Sequence, residues 1–400
     1  KIRTLPLVNM TLKKNTSIRS ALARNNGQIR LCEVHDRAST ELVRDSTADN
    51  GDSFDGVWIS GLTQTTILGI PDTELISPLQ RAILMQPVDK PLEHNTRQLC
   101  GAFDADSGGL VNDIPALVTV LVLKGISMII IEDKAMAQPG QKVNSLLATS
   151  DAQGQADKHE FAKVIRAFKE ASTGHDIMIT ARIESFTTRP IEKDPIKEQA
   201  SHQASLQNAL SRAQVYTEAG ADAIMIHSKS KDPEEILNFL RDFRSSDKVT
   251  PLVVVPTTYS KTARSELADA GANIYIYANH LMRAKIMAAA EVFEKSKLAT
   301  KNGVNGHSNG DELRQCQKSG NYGCLLRKLA EKRYLGENES EQDAAELVDY
   351  GLIAEKKALE NMRATVLDLA GGKLSGCEAD ERIISVKELL VINARQVSPV

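Results

Sequence analysis

An α/β fold, a (β/α)8 TIM-type barrel with a C-terminal helical extension, is what this 400-residue sequence predicts. Three observations lead there. Short apolar runs of strand length recur between residues 29 and 290, with helical patterns between most of them. The segments VLVLKGISMIII, YTEAGADAIMIH and ELADAGANIYIY each read as a helix end, a glycine and an apolar strand. A glycine just past a helix accepts positive φ without a Cβ clash, so each marks a helix stop. Repeated α-to-β connections imply parallel strands buried on both faces. Finally, the spacing yields about eight such units, the size of a closed barrel. A doubly wound open sheet is the other arrangement such units can build.

The predicted strands follow in order. Ile29–Glu33 leads to Glu33 and His35, and Val57–Ser60, which holds the single tryptophan Trp58, leads to Ser60 and Gly61. Leu99–Phe103 opens into FDADSGG, with Asp104 and Asp106. Met128–Glu132 ends in the charged triplet Glu132, Asp133 and Lys134. Met178–Arg182 closes in ARIES, with Arg182 and Glu184, and Ala223–His227 runs into Ser228 and Lys229. Leu252–Pro256 ends at its proline, and Ile274–Tyr277 precedes Asn279 and His280. Function in such barrels collects at the C-terminal strand ends. Here nearly every run ends in side chains able to do chemistry.

Past residue 295 the composition shifts. KNGVNGHSNG reads as a linker. LRKLAEKRYL and SEQDAAELVDYGLIAEKKALENMRATVLDLA are rich in helix formers, GGKLSG breaks them, and ISVKELLVINARQ reads as a last amphipathic helix. The expected organisation is a barrel over residues 1–295, a linker and helical insert over 296–376, and a C-terminal helix over 377–400. The insert carries no chemical motif, so packing or oligomerisation is its expected use.

Composition narrows the classes of function. A net charge of -3 and a near balance of acids and bases argue against nucleic-acid or anionic-membrane partners. The sequence has no apolar run long enough to span a bilayer, and its first residues lack a signal-peptide core. Five scattered cysteines without a CxxC pair give neither a disulfide framework nor a zinc site. Reduced thiols in a cytoplasmic protein are the expectation.

The chemistry begins with carboxylates. Asp104 and Asp106 are two residues apart, so in extended chain they share a face, and Glu132 comes from the next strand. Three carboxylates in one cleft repel unless a cation is present. Hard oxygen donors without His or Cys suit magnesium; caps and turn contacts are the plainer use of a DxD. Arg182 and His227 form the anion side, with Glu184 or an anionic substrate as partner for the guanidinium. A structural histidine is an equal reading of His227. The N–H groups of Ser60 and Gly61 are placed to cradle a carboxylate, or else Trp58 is a core residue followed by a turn.

The stretches GVWISGLT, FDADSGG, IEDK…KVNSLL, ITARIESF, YTEAGADAIMIHSKS, VVVPTTY and IYANHLMRA resemble the phosphoenolpyruvate mutase family, within the isocitrate lyase superfamily. The resemblance covers about Ile29 to Val292 and resumes at ERIISVKELL. It implies a modified barrel whose last helix swaps onto a partner subunit in a homodimer or homotetramer. It implies Mg2+ and the interconversion of phosphoenolpyruvate and phosphonopyruvate, small-molecule substrates. By motif matching, Asp104 would bind the metal directly, and Asp72, Asp106 and Glu132 would hold its waters. Ser60, Gly61 and Leu62, beside Trp58, would seat the pyruvate carboxylate and enolate. Arg182 and His227 would grip the phosphoryl group, and Lys142, Asn144 and Ser145 would close over it as part of a lid after Glu132.

Two departures from the family pattern stand out. Nine residues separate EDK from NS, four more than the family has, and DADSGG stands where a Thr, a Gly and an aromatic are usual. A longer lid would change closure, substrate size or water access. The nearest rival activities are therefore phosphonopyruvate hydrolysis and mutation of carboxyphosphoenolpyruvate. Asn144 favours the mutase over the hydrolase. A carbon–carbon lyase of the methylisocitrate type would need a lid cysteine, and none lies between Asp133 and Gln155. A catalytically silent, partner-binding barrel is the reading from outside enzymology.

Overall fold

Strands buried on both faces are arranged here as a closed barrel. The computed structural model describes residues 17–88, 97–135, 140–145, 153–289, 357–372 and 389. Eight parallel strands close in sequence order: β1 (Ile29–Val34), β2 (Gly56–Ile59), β3 (Cys100–Asp104), β4 (Ile126–Glu132), β5 (Met178–Ile183), β6 (Ala223–Ile226), β7 (Leu252–Val254) and β8 (Ile274–Tyr277). Closure is direct, with Ile29 in register with Ile274. The doubly wound alternative is thereby excluded. Strand β8 keeps its expected bounds, and the other seven begin or end one to two residues from theirs, since ladder hydrogen bonds and not hydropathy decide where a strand stops.

Both faces of each strand are buried, which explains the unbroken run Met128–Ile131. Alternate residues serve different cores. Leu31, Trp58, Met128, Ile130, Met225 and Ile276 fill the barrel interior. Phe103, Ile129, Ile131, Ile179, Ile224 and Val254 face outward into the helical layer. The N-terminal end of the barrel is plugged by α1 (Ile18–Arg24), whose Ile18 and Ala21 join the interior cluster. Gly56 is required by sterics: a Cβ there would run into the carbonyl and thiol of Cys100.

The remaining helices are α2 (Arg37–Asp45), α3 (Gly61–Leu68), α4 (Pro78–Leu84), α5 (Ile114–Leu123), α6 (Lys158–Ala171), α7 (Pro195–Glu218), α8 (Glu234–Ser246) and α9 (Arg264–Asp269). They start where chain chemistry says they should. Ser77 and Gln80 form a reciprocal capping box with Pro78 at the first turn, and Asp194 caps α7 ahead of Pro195. Residues 357–370 are also helical. Met362, Val366 and Leu369 enter the outer core, and Arg30 donates to the Ala370 carbonyl at 2.7 Å. Much of the expected insert, and the expected last helix apart from Leu389, lie outside the described residues, as do 136–139 and 146–152 of the expected lid. Among the described residues no helix is long and apolar enough to cross a membrane.

Candidate active site

The C-terminal strand ends converge on a cavity of about 60 Å3, into which β2 to β6 and the segment 140–145 all project. Trp58 and Ser60 reach it from β2 and its end, with Leu62 from the start of α3. Trp58 belongs to the interior core and also lines the cavity, so its two readings from sequence are not exclusive. Ser60 Oγ donates to Asn279 Oδ1 at 3.3 Å, joining the β2 and β8 ends. The Gly61 N–H points at Asp104 Oδ2, 3.3 Å away, and not into open space.

Asp104, Asp106 and Glu132 lie together with Asp72 and one acid that sequence reasoning missed, Glu74. Carboxylate oxygens of Glu74, Asp106 and Glu132 all sit within 4.8 Å of one another, and the three residues are buried. A Cβ at position 61 would stand 3.1 Å from Asp106 Oδ1 and 3.5 Å from Asp104 Oδ2 and Asp72 Oδ1. Glycine thus leaves open the space that three carboxylates enclose. The donors are all hard oxygens, so the cluster fits a divalent cation. The signal for Glu74 was its place two residues after Asp72 in the same loop. It adopts a left-handed φ of 54°, as Asp106 does at 49°, conformations that cost about 1–3 kcal/mol and persist where surroundings over-determine them. Ser107 fixes Glu74 by donating from N at 2.9 Å and Oγ at 2.8 Å.

The electrostatics are uneven. Burial and the Asp106 charge push the Glu74 carboxyl up to about 8. Burial and Asp106 also raise Asp104. Asp106 itself is buried, yet Arg81 and Lys142 hold it down at about 2. Arg81, from α4, was invisible in the sequence. It donates to Asp106 Oδ2 and to the Asp104 carbonyl, both at 2.5 Å, and its guanidinium lies 4.9 Å over the Phe103 ring. Nothing local in PLQRAIL distinguishes this arginine from a surface one; only the placement of α4 against β3 does.

The segment 140–145 divides its side chains between the two halves of the cavity. Lys142 Nζ contacts Asp72 Oδ1 at 2.9 Å and also Asp106, and Asn144 Nδ2 donates to Asp72 Oδ2 at 2.9 Å. Ser145 Oγ instead accepts from Arg182 Nη2 at 2.6 Å and donates to Glu184 Oε1 at 3.0 Å. Arg182 is also ion-paired with Glu184 and, at 3.4 Å, with Glu132. These acids outweigh the cost of burial and raise its pKa further. His227 is buried beside it, with Nδ1 lacking a partner among the described residues. Burial, then the charges of Arg182 and Lys134, hold its pKa well below the usual range, so the ring is neutral. Lys134 spans Glu132 at 3.2 Å and the Val143 carbonyl at 3.1 Å. Its part in the cavity was not anticipated, although the triplet that contains it was.

A family profile described as phosphoenolpyruvate phosphomutase matches residues 18–297. The phosphoenolpyruvate phosphomutase of Tetrahymena pyriformis is 29% identical over 290 residues, which cover 72% of this chain and 82% of that protein. The crystal structure of phosphoenolpyruvate phosphomutase from Streptomyces platensis subsp. rosaceus superposes with a TM-score of 0.57 at 30% identity, covering 79% of this chain and 99% of that one. Phosphonopyruvate hydrolase in complex with oxalate and Mg++ superposes with a TM-score of 0.53 at 25% identity, covering 79% and 97%.

Proposed function

The chain belongs to the phosphoenolpyruvate phosphomutase family, and on that footing we propose that it interconverts phosphoenolpyruvate and phosphonopyruvate with magnesium. The observation that carries this reading is the two-sided cavity. An oxygen-rich acidic cluster stands on one wall, Arg182 and a neutral His227 on the other, and Lys142, Asn144 and Ser145 from one short segment reach both.

The reaction breaks the phosphorus–oxygen bond of the enol ester, leaving its electron pair on the enolate. The enolate carbon then takes the phosphoryl group, and no proton is gained or lost. A loose transition state of this kind needs positioning and charge stabilisation more than acid–base chemistry. Asp104, with Asp72, Glu74, Asp106 and Glu132, would hold magnesium, which would supply charge neutralisation for the enolate and carboxylate oxygens. Ser60, Gly61 and Leu62 would seat the carboxylate at the start of α3, where the first backbone N–H groups have no intrahelical partner. The Gly61 N–H, which points at Asp104 Oδ2, would have to turn from it to do so.

Arg182 holds the phosphoryl oxygens while Glu184 and Ser145 fix its plane. His227, being neutral, donates one hydrogen bond without adding charge. Asn144 and Lys142 lie where the migrating group passes from oxygen to carbon, and the segment that carries them shields it from water. Oligomerisation to a homodimer or homotetramer belongs to the same reading. Exposed Ile67 and Leu68 of α3 and Ile83 and Leu84 of α4 support it.

Phosphonopyruvate hydrolysis is the second reading, favoured by the similarity to the hydrolase structure and by the long EDK-to-NS spacing. Phosphorus NMR of the protein with phosphonopyruvate and magnesium decides between them. A phosphoenolpyruvate signal is expected. Inorganic phosphate with pyruvate would establish the hydrolase, and an unchanged spectrum from folded protein would reject both.

A further inference from the structure

The middle residue of the charged triplet, Asp133, has no place in the cavity, yet it is fully buried at the end of β4. A carboxylate taken out of water must be repaid by donors, and Asp133 has four. Its Oδ1 accepts the Glu184 N–H at 2.9 Å, and its Oδ2 accepts Arg212 Nη1 at 3.0 Å and Tyr216 OH at 2.7 Å. Gln155 Nε2 lies 3.2 Å from both oxygens. These donors come from three parts of the chain: the end of β5, the inner face of α7, and the point where the chain returns from the excursion after Lys134.

The backbone repeats the junction. Ala156 N donates to the Asp133 carbonyl at 2.8 Å, Ala135 N to Gly154 O at 2.9 Å, and Asp133 N to the Arg182 carbonyl at 3.1 Å. Arg212 Nη1 also donates to the Ala156 carbonyl at 2.9 Å. Both ends of the excursion that carries Lys142, Asn144 and Ser145 are therefore tied at one carboxylate. The same carboxylate holds the backbone of Glu184, whose side chain in turn holds Arg182 and Ser145.

We propose that Asp133 is a positioning residue for the phosphoryl half of the site, setting the register at which Ser145 of the excursion meets Arg182 and Glu184 of β5 and its end. The step to catalysis rests on the mutase reading. Among the described residues the Asp133 carboxylate bonds to Gln155, Glu184 N, Arg212 and Tyr216 and to no side chain of the acidic cluster, so its loss separates the two halves of the cavity.

The test uses the full chain with Asp133→Asn, and with Gln155→Ala and Tyr216→Phe, which each remove one donor and guard against failure of the first to fold. Hydrogen exchange without ligand reads the positioning itself. Peptides spanning 133–135, 154–156 and 182–185 are expected to exchange at least tenfold faster, while those of β1 and β8 keep wild-type rates. With ligands, kcat for phosphonopyruvate is expected to fall at least tenfold, while binding of oxalate with magnesium, a probe of the acidic half, stays within twofold. A purely structural role would lower both together. Wild-type exchange at 182–185 in all three variants, or equal loss of kcat and oxalate binding, overturns the proposal. If the wild type leaves phosphonopyruvate unchanged, the mutase reading fails, and the exchange measurement still decides the role of Asp133.

Discussion

Lys142 Nζ lies 2.9 Å from Asp72 Oδ1, and the same ammonium contacts Asp106. Residues from three separated loops thus meet at one buried charge. Asp106 keeps Arg81 as a second partner, whereas Lys142 has only carboxylates to balance it. Four acids, Asp106 foremost, raise its pKa well above the usual lysine range against the cost of burial. Lys142→Met therefore strips a buried cation from the acidic cluster. A fall in kcat/KM of roughly 100-fold or more, about 3 kcal/mol of transition-state stabilisation, is expected in the phosphonopyruvate assay.

Ser145→Ala removes the hydroxyl that Arg182 donates to and that donates to Glu184. A hydrogen bond to a charged group contributes about 1.5–3 kcal/mol. The rate should drop ten- to 100-fold, with oxalate binding preserved, and steady-state kinetics beside calorimetry checks both.

Glu74→Gln tests the acid that the sequence did not reveal. The amide keeps one acceptor for Ser107 but cannot ionise, whereas the Glu74 carboxyl, held protonated by burial and Asp106, would give up its proton to a cation bound beside Asp106 and Glu132. Groups of this kind change metal affinity about 10–100-fold when replaced. Calorimetric titration with magnesium is expected to show a weakening in that range, and unchanged affinity would place Glu74 outside the metal's surroundings.

His280 offers a pH test remote from the acidic cluster. It is buried at 1% exposure, and burial, then Arg283, holds its pKa down to about 3. A histidine depressed in the fold binds its proton more readily when unfolded. The unfolded state therefore gains protons first as pH falls below about 6.5, and stability declines from there toward pH 3. Between pH 7 and pH 5 the loss is about 2 kcal/mol. Urea denaturation at the two pH values should show it, with a reduced slope in His280→Gln.

Gly56→Ala probes the barrel itself. The added methyl meets the backbone carbonyl of Cys100, which sits in a buried strand and cannot retreat as a side-chain end would. Overpacking of this kind costs about 1–3 kcal/mol or more, measurable as a lowered urea midpoint.

Much of this molecule is written locally. Apolar runs of strand length, glycines after helices and polar groups at strand ends determine the repeated β/α units and their functional face, because each depends on residues near in sequence, whereas closure into a barrel rests on β1 meeting β8. Asp104 and Asp106, Glu132, Arg182 and His227 were legible because they end strands, where position follows from the pattern alone. The tertiary structure decided what depends on long-range closure. Glu74 and Arg81 enter the acidic cluster only because the loop and helix after β2 fold over the end of β3. The Gly61 N–H turns to Asp104 because α3 starts beside it. Asp133 and Lys134 look alike in sequence as charged residues after a buried strand. Packing sends one beneath the β5 end and the other into the cavity, and the energy that separates their roles comes from donors 22 to 83 residues away, which no local pattern encodes.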